Sequence, residues 1–272
     1  MNILCIGDIV GKPGRHAVMG LLKDLRKEFS LDFVIANAEN TAGGSGLTAR
    51  LARQLLDAGC DVLTLGDHVW DQKEFVDYLR QADSVIRPAN FPEGVPGRGW
   101  CVKTTSSGQK VGVINLLGRT FMRYQVNCPF KTLEQILSEM RKETSFIILD
   151  MHAETTSEKM AMGHFADGKV SAVVGTHTHI QTADEKILAH GTAYITDLGM
   201  TGPYNSVIGQ KKELIIQRFL MSMPIKFEVA SEDIKLHGVV IKIDEKTAKA
   251  EKIERIQRVF HDTCDQLIKE ED

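Results

Sequence analysis

Paired thiols are missing from this sequence. Its five cysteines, Cys5, Cys60, Cys101, Cys128 and Cys264, are odd in number, widely spaced and form no C-x-x-C. A disulfide scaffold and a zinc ribbon are thereby excluded, since both need paired or closely spaced thiols. Cys5 and Cys60 fall in or beside apolar runs and read as small core residues. Such a set suits a reducing compartment. Long apolar runs are missing too: no segment approaches the ~20 residues of a membrane span. The opening MNILCIGDIVGKPGR has an apolar stretch too short for a signal-peptide core, and it ends at an aspartate. The expectation is a cytoplasmic protein with no membrane partner. Neither sign of charge dominates: 33 Lys and Arg face 36 Asp and Glu, a net of -3. With a pI near 6.3 there is no global attraction for duplex nucleic acid or an anionic membrane. Internal repeats, low-complexity tracts and Pro/Gly/Ser linkers are absent as well. One domain over residues 1–272 is therefore expected, with 260–272 as a C-terminal tail whose charged end, Lys269–Asp272, is frayed or a solvated helix end.

What is present is the composition of an ordinary globular protein, 43% hydrophobic and 25% charged. A chain of 272 residues builds a core without disulfides or a structural metal. Strand-like runs at 2–7, 32–37 and 62–65 alternate with helical periodicity over 15–28, 48–58 and 72–81, with Thr48 as an N-cap and Gly59 as a stop. This βαβαβα opening predicts a largely parallel sheet with helices on its faces. Residues 99–105 and 109–116 read as a hairpin. Helix 131–143, strand 146–151, helix 157–166 and strand 171–175 follow. Strands at 193–196, 226–230 and 235–243, partly antiparallel, and a helix at 213–221 complete the reading.

Side chains able to bind metal fall where these strands end. Asp8 closes the first strand, Glu39 and Asn40 follow the second, and Asp67 and His68 the third. His152 follows IILDM, and His177 and His179 follow VSAVVG as GTHTH. Singly, each has a bland reading: Asp8 as a turn residue or N-cap, His152 as a structural histidine, H-x-H as chance. Together, the same kind of group at five strand–loop junctions matches the place where parallel sheets bind ligands, the carboxyl ends of their strands. Oxygen and imidazole donors without thiolate suit iron, manganese or zinc. Seven candidate ligands exceed one closed mononuclear site, whereas two metals sharing a bridging carboxylate accommodate them, the arrangement that serves phosphoryl transfer.

The ordered motifs Gly7-Asp8, Ala38-Glu39-Asn40, Gly66-Asp67-His68, Met151-His152 and Gly175-Thr176-His177-Thr178-His179 resemble those of the calcineurin-like metallophosphoesterases. The segments GDIVGKPGR, ANAEN, HAETTSEK, GTHTHIQTADE and AYITDLGMTGP bring the chain closer to the bacterial YmdB-type phosphodiesterases over nearly its whole length. That resemblance implies an α/β fold of two packed mixed β-sheets flanked by helices, a four-layer α-β-β-α sandwich. It implies two divalent ions, iron or manganese with zinc as a further choice. Asp8, Glu39, Asn40 and His179 would hold one ion, and bridging Glu39 with Asp67, His152 and His177 the other. A metal-bridging hydroxide would attack and His68 would serve the leaving oxygen as acid. The substrates implied are small phosphodiesters, 2′,3′-cyclic nucleotides first and 3′,5′-cyclic ones next; a homo-oligomer is compatible with the family.

Three positions depart from the wider pattern. Val10 stands where D-x-H has histidine, leaving Asn40 as the replacement ligand; Glu39 stands where the bridging residue is usually aspartate. Both departures are shared with the closer group. The third is this chain's own: Asp67 occupies the place of an asparagine, which makes the site more negative. Gly43-Gly44-Ser45-Gly46 lacks the P-loop lysine and the Rossmann spacing and reads as a flexible loop able to line a cleft. Arg15 opens the first helix. His16, His164, His190, His237 and His261 have no motif context, and Trp70 and Trp100 are assigned to packing. Two rivals stand beside this reading. An amidohydrolase also uses H-x-H, but early in its barrel rather than late in the chain. A metal-bound regulatory or scaffold protein with little turnover is the alternative that Asp67 favours.

Overall fold

The structure, a computed structural model, describes residues 1–261. Its first half runs β1 (Asn2–Ile6), β2 (Asp8–Ile9), α1 (Gly11–Glu28), β3 (Phe33–Asn37), α2 (Ala49–Asp57), β4 (Val62–Thr64), α3 (Phe75–Gln81) and β5 (Val85–Ile86). The hairpin β6 (Trp100–Thr104) and β7 (Lys110–Leu117) precedes α4 (Pro129–Met140), β8 (Phe146–His152), α5 (Thr156–Ala166) and β9 (Ala172–Thr176). Then come β10 (Lys186–Ile187), β11 (Ala193–Ile195), β12 (Met200–Pro203), α6 (Lys212–Met221), β13 (Ile234–Ile243) and β14 (Ala250–Val259).

These strands form two mixed sheets. In the first, β1, β3, β4 and β5 are parallel, and β13 lies antiparallel beside β1. β12 and β14 both pair antiparallel with β13, and β12 runs parallel to β2. In the second, β7, β8, β9 and β11 are parallel and the edge strands β6 and β10 antiparallel.

Strand alternation sorts the core into three layers. Leu4, Ile6, Val34, Ala36 and Leu63 point to one side and pack under Val18, Leu22, Leu51, Leu55, Phe75 and Leu79 of α1, α2 and α3. Ile3, Cys5, Phe33, Ile35 and Val62 point to the other and meet Val111, Val113, Ile148 and Val174 of the second sheet. The outer face of that sheet, through Ile114, Leu116, Leu149, Met151 and Tyr194, is covered by Leu133, Leu137 and Met140 of α4 and Met162 of α5. The result is the four-layer α-β-β-α sandwich.

Local chemistry sets the boundaries. Thr48 caps α2, its side chain accepting from Leu51 N at 3.3 Å, and Gly59 follows the helix at φ +111. α1 begins four residues before the expected start, at Gly11, and α4 begins with Pro129 at its first position, where a missing N–H costs nothing. The helix expected over 72–81 is confined to Phe75–Gln81 because residues 72–74 form the preceding turn. The strand expected over 226–230 is absent. Lys226 and Glu228 are exposed and Phe227 and Val229 half-buried, so the alternation is there, but the neighbouring chain offers one bridge, Gln210 to Val229, rather than a ladder. The expected end of the tail, Lys269–Asp272, and Cys264 lie outside the described residues. No helix among the described residues is long and apolar enough to cross a membrane.

Candidate metal centre

The polar residues of the inter-sheet layer gather at the carboxyl ends of its strands. In β3 the inward series Phe33, Ile35 continues to Asn37; in β4 Val62 continues to Thr64; in β8 Ile148 continues to Asp150 and His152; in β9 Val174 continues to Thr176. Asp150, 2% exposed, is shared by both sheets. Its carboxylate accepts from Thr64 Oγ1 at 2.5 Å, Thr176 Oγ1 at 2.7 Å and Asn37 Nδ2 at 3.3 Å. Thr176 Oγ1 also contacts His152 Nδ1 at 2.8 Å. The ring of His152 is thus oriented by a hydroxyl that a buried carboxylate fixes, an arrangement that sets a ligand's free nitrogen in place.

That free nitrogen, His152 Nε2, faces Glu39 Oε1 at 3.0 Å, Asp67 Oδ1 at 3.3 Å and His177 Nδ1 at 3.1 Å. His177 Nδ1 is 3.5 Å from Asp67 Oδ1, and its Nε2 is 3.1 Å from Glu154 Oε2. One ligand atom from each of Glu39, Asp67, His152 and His177 lies within 4.8 Å of the others, three of the residues buried and His177 half-buried. Asp8 is fully buried beside them, its Oδ2 accepting from His177 N at 3.1 Å. Asn40 and His179 are buried at the same cleft, His179 Nδ1 being 3.0 Å from Ile208 O. Gly66 makes the close approach possible: a Cβ there would stand 2.2 Å from both Glu39 Oε2 and His152 Nε2.

Charge is concentrated in this small volume. Burial opposes ionisation of Asp67, but the hydrogen bond and charge of His152, with His177 and His68, hold its carboxyl well below the usual range. Burial likewise opposes protonation of His152, and Glu39, Asp67 and Asp8 outweigh it, raising the imidazole well above its ordinary value. His177 goes the other way, pushed down to about 4 by burial and by its charged neighbour His152. Asp8 is raised well above the carboxylate range, first by burial and then by Asp197 and Glu39, with His152 opposing. Asp8 Oδ1 and Asn40 Oδ1 are buried and accept no hydrogen bond. Buried acceptors without donors are costly unless a cation satisfies them. Carboxylate, carboxamide and imidazole donors around such atoms fit hard to borderline divalent ions.

His68 stands at the rim. Its Nδ1 donates to Asp71 Oδ2 at 2.7 Å, and Arg123 donates to the other oxygen of Asp71 at 2.8 Å. Burial works against the imidazolium, yet Glu39, Asp71 and Asp67 raise the His68 pKa above its ordinary value. The cleft in front holds about 550 Å³. Gly43, Gly44 and Ser45 line one side, as the loop reading allowed, and Ile208, Ile215 and Phe227 form an apolar wall. Arg15 is buried in α1, where it donates to Thr41 O at 2.9 Å just after Asn40. His16, His164, His190, His237 and His261 are not among the cleft's lining residues. Trp70 and Trp100 pack, half-buried, against the outer two cores.

Asp71, Asp150, Glu154, Lys159 and Asp197 escaped the sequence reading. Comparison with known proteins settles the family. A model of the YmdB-like protein family matches residues 4–256. The chain belongs to that family. It is 49% identical over 256 residues to a 2′,3′-cyclic-nucleotide 2′-phosphodiesterase of Bacillus subtilis, covering 94% of this chain and 96% of the relative. A putative phosphatase/phosphodiesterase of Mycoplasma genitalium is 37% identical over 268 residues, covering 96% of this chain and 94% of its own. Among solved structures, a hypothetical protein from Thermus thermophilus superposes with a TM-score of 0.89 at 39% identity, over 95% of this chain and 99% of the other. A phosphatase from Mycoplasma pneumoniae gives 0.89 at 36% identity, over 95% and 93%.

Proposed function

We propose that this YmdB-like protein is a metal-dependent phosphodiesterase acting on small phosphodiesters, 2′,3′-cyclic nucleotides first among them and 3′,5′-cyclic ones next. The observation that carries the reading is the convergence of Glu39, Asp67, His152 and His177 from four strand ends within 4.8 Å. These four would hold one ion. Asp8, Asn40 and His179, with Glu39 shared, would hold a second, of the iron or manganese class with zinc as an alternative. Divalent ions there would supply Lewis acidity toward the phosphoryl oxygens and lower the pKa of a water.

The chain's own residues do the rest. Asp71 takes the Nδ1 proton of His68 in a hydrogen bond, so Nε2 is the nitrogen left to hand a proton to the leaving oxygen. Arg123 fixes Asp71, and the neighbouring carboxylates, Glu39 first, favour the charged form of His68, the form an acid requires. The cleft volume suits a mononucleotide rather than a polymer track. The free thiols Cys5, Cys60, Cys101 and Cys128 support a reducing, cytoplasmic setting.

The test is hydrolysis of 2′,3′-cyclic AMP and bis-p-nitrophenyl phosphate by metal-stripped protein, with and without Mn²⁺ or Fe²⁺, beside His68→Ala. Metal-dependent turnover that His68→Ala lowers by roughly a hundredfold is the expected result. Two metals bound per chain without turnover would replace the enzyme by the regulatory alternative.

A further inference from the structure

Two segments that carry the family resemblance, HAETTSEK and AYITDLGMTGP, give the centre described above only His152 and Glu154. Each also buries one charged side chain. Lys159, on the inward stripe of α5 with Met162, Gly163 and Ala166, is 1% exposed, and Asp197, in the turn after β11, is 0% exposed. Lys159 Nζ donates to Asp197 Oδ2 at 2.6 Å. A buried pair of this kind is weak evidence for stability, because desolvation offsets most of the attraction and an apolar pair of the same volume often serves as well. Another reason for its presence lies in what the carboxylate holds.

Asp197 Oδ2 also accepts from Thr178 N at 3.2 Å and Thr178 Oγ1 at 2.7 Å, while Oδ1 accepts from Gly199 N at 2.8 Å. Thr178 is the central residue of H-x-H. The histidines on either side, His177 and His179, both stand at positive φ, +99° and +64°. Non-glycine residues adopt that region only when their surroundings over-determine it, at a cost of about 1–3 kcal/mol each. On its other side the carboxylate fixes Gly199, whose carbonyl accepts from Asp8 N at 3.1 Å. Met200 then pairs with Asp8 in register between β12 and β2. The stem of Lys159 passes under Gly175, where an added Cβ would lie 3.0 Å from its Cδ. One buried carboxylate therefore ties the strained H-x-H turn to the strand that carries Asp8, and one buried ammonium supplies its counter-charge. An apolar pair fills the volume but cannot accept three hydrogen bonds from two backbone segments.

We infer that Lys159 and Asp197 are a positioning pair for Asp8, His177 and His179, which belong to both halves of the centre. The inference rests on the proposed reading of those three as metal ligands. It is tested on the full chain, metal-stripped, with Mn²⁺ as the probe. The double variant Lys159→Met/Asp197→Leu replaces the pair by apolar volume, and Thr178→Val removes one hydrogen bond while leaving the pair intact. Thermal unfolding of the metal-free proteins measures stability. Calorimetric titration and the spin-coupled Mn²⁺ EPR signal measure the site, which a purely structural pair would leave unchanged. The expected result is a folded double variant that melts lower without metal, since Thr178 and Gly199 lose their acceptor, with Mn²⁺ affinity at least tenfold weaker and the coupled signal lost, and affinity about threefold weaker in Thr178→Val. Wild-type affinity and an intact coupled signal in a folded double variant overturn the inference. Should the double variant not fold, wild-type affinity in Thr178→Val overturns it. Wild-type protein that takes up no Mn²⁺ overturns the metal reading itself, a result distinct from the others.

Discussion

Asp67→Asn exchanges a charge for none at nearly constant shape, so its effects can be reasoned from electrostatics. The carboxylate lies 3.3 Å from His152 Nε2 and 3.5 Å from His177 Nδ1, 7% exposed. At an effective dielectric near 20, unit charges 4 Å apart interact by about 4 kcal/mol, and a divalent ion doubles that. On the proposed reading of Asp67 as a ligand the amide oxygen still reaches the ion, and removing a buried carboxylate recovers its desolvation cost, so about 1.5–3 kcal/mol of the attraction is lost net. That is roughly ten- to hundredfold in the Mn²⁺ dissociation constant. The rate responds in the other direction. A less negative site acidifies water more, moving the acid limb of the rate–pH profile down. The same lost charge withdraws support from the His68 imidazolium, moving the basic limb down with it. The bell slides as a whole by ~0.5–1 unit. Calorimetric titration of metal-stripped protein with Mn²⁺ measures the first effect, and 2′,3′-cyclic AMP hydrolysis at saturating Mn²⁺ between pH 5 and 10 the second. Unchanged affinity with an unmoved profile would refute the reasoning.

His237 is buried and pushed down to about 4 by burial and then by Lys235, with Asp233 opposing, and it contacts Tyr204 Oη at 2.6 Å. An unfolded histidine titrates near 6.5, so the stability is fully present above that pH and is lost as pH falls toward 4. At pH 5 the loss is about 2 kcal/mol, less whatever solvent screening removes. Metal-free His237→Gln should therefore lose less melting temperature between pH 7 and pH 5 than wild type, and an equal drop rejects the assignment. Gly66→Ala and Gly7→Ala should separate site from scaffold. The added Cβ at Gly66 meets the ends of side chains, so Mn²⁺ binding falls by tenfold or more while the apo fold persists. At Gly7 it meets the Gly199 carbonyl oxygen at 2.0 Å, so the apo protein itself melts lower, by about 2–4 kcal/mol of stability. Circular dichroism melts beside Mn²⁺ titrations decide both, and a reversed pattern refutes the argument.

The elements that positioned the chemistry were legible because two periodicities coincide with it. Buried strands such as DFVIAN and FIILDM announce themselves as apolar runs, and the residues just past them, Glu39, Asn40 and His152, inherit a position from the sheet. Short strands were not legible: β2 with two residues and β10 with two exist only because a longer partner lies alongside. The 226–230 stretch failed for the converse reason, having a strand's alternation but only a single bridge, Gln210 to Val229, in place of a ladder. Pairing is a property of two segments, and one segment's pattern cannot supply it.

The supporting residues were hidden for a different cause, and a usable signal was present. Asn37 and Asp150 sit on the inward parity of strands whose preceding residues on that face are apolar, and Lys159 sits on the inward stripe of α5. A polar or charged group so placed is costly to bury alone, so its position predicts a partner. The partners themselves, Thr64 and Thr176 for Asp150 and Asp197 for Lys159, are tens of residues away and carry no local mark. Asp71 differs again: three residues after His68, it is brought back by a turn in which Asp71 N donates to His68 O at 3.1 Å. A sequence therefore discloses which buried polar groups must be satisfied before it discloses by what. In this chain those groups lie beside the candidate ligands, whose backbone has to be held at each strand end. The mismatched inward residues are accordingly the places where substitution should disturb metal binding before it disturbs the fold.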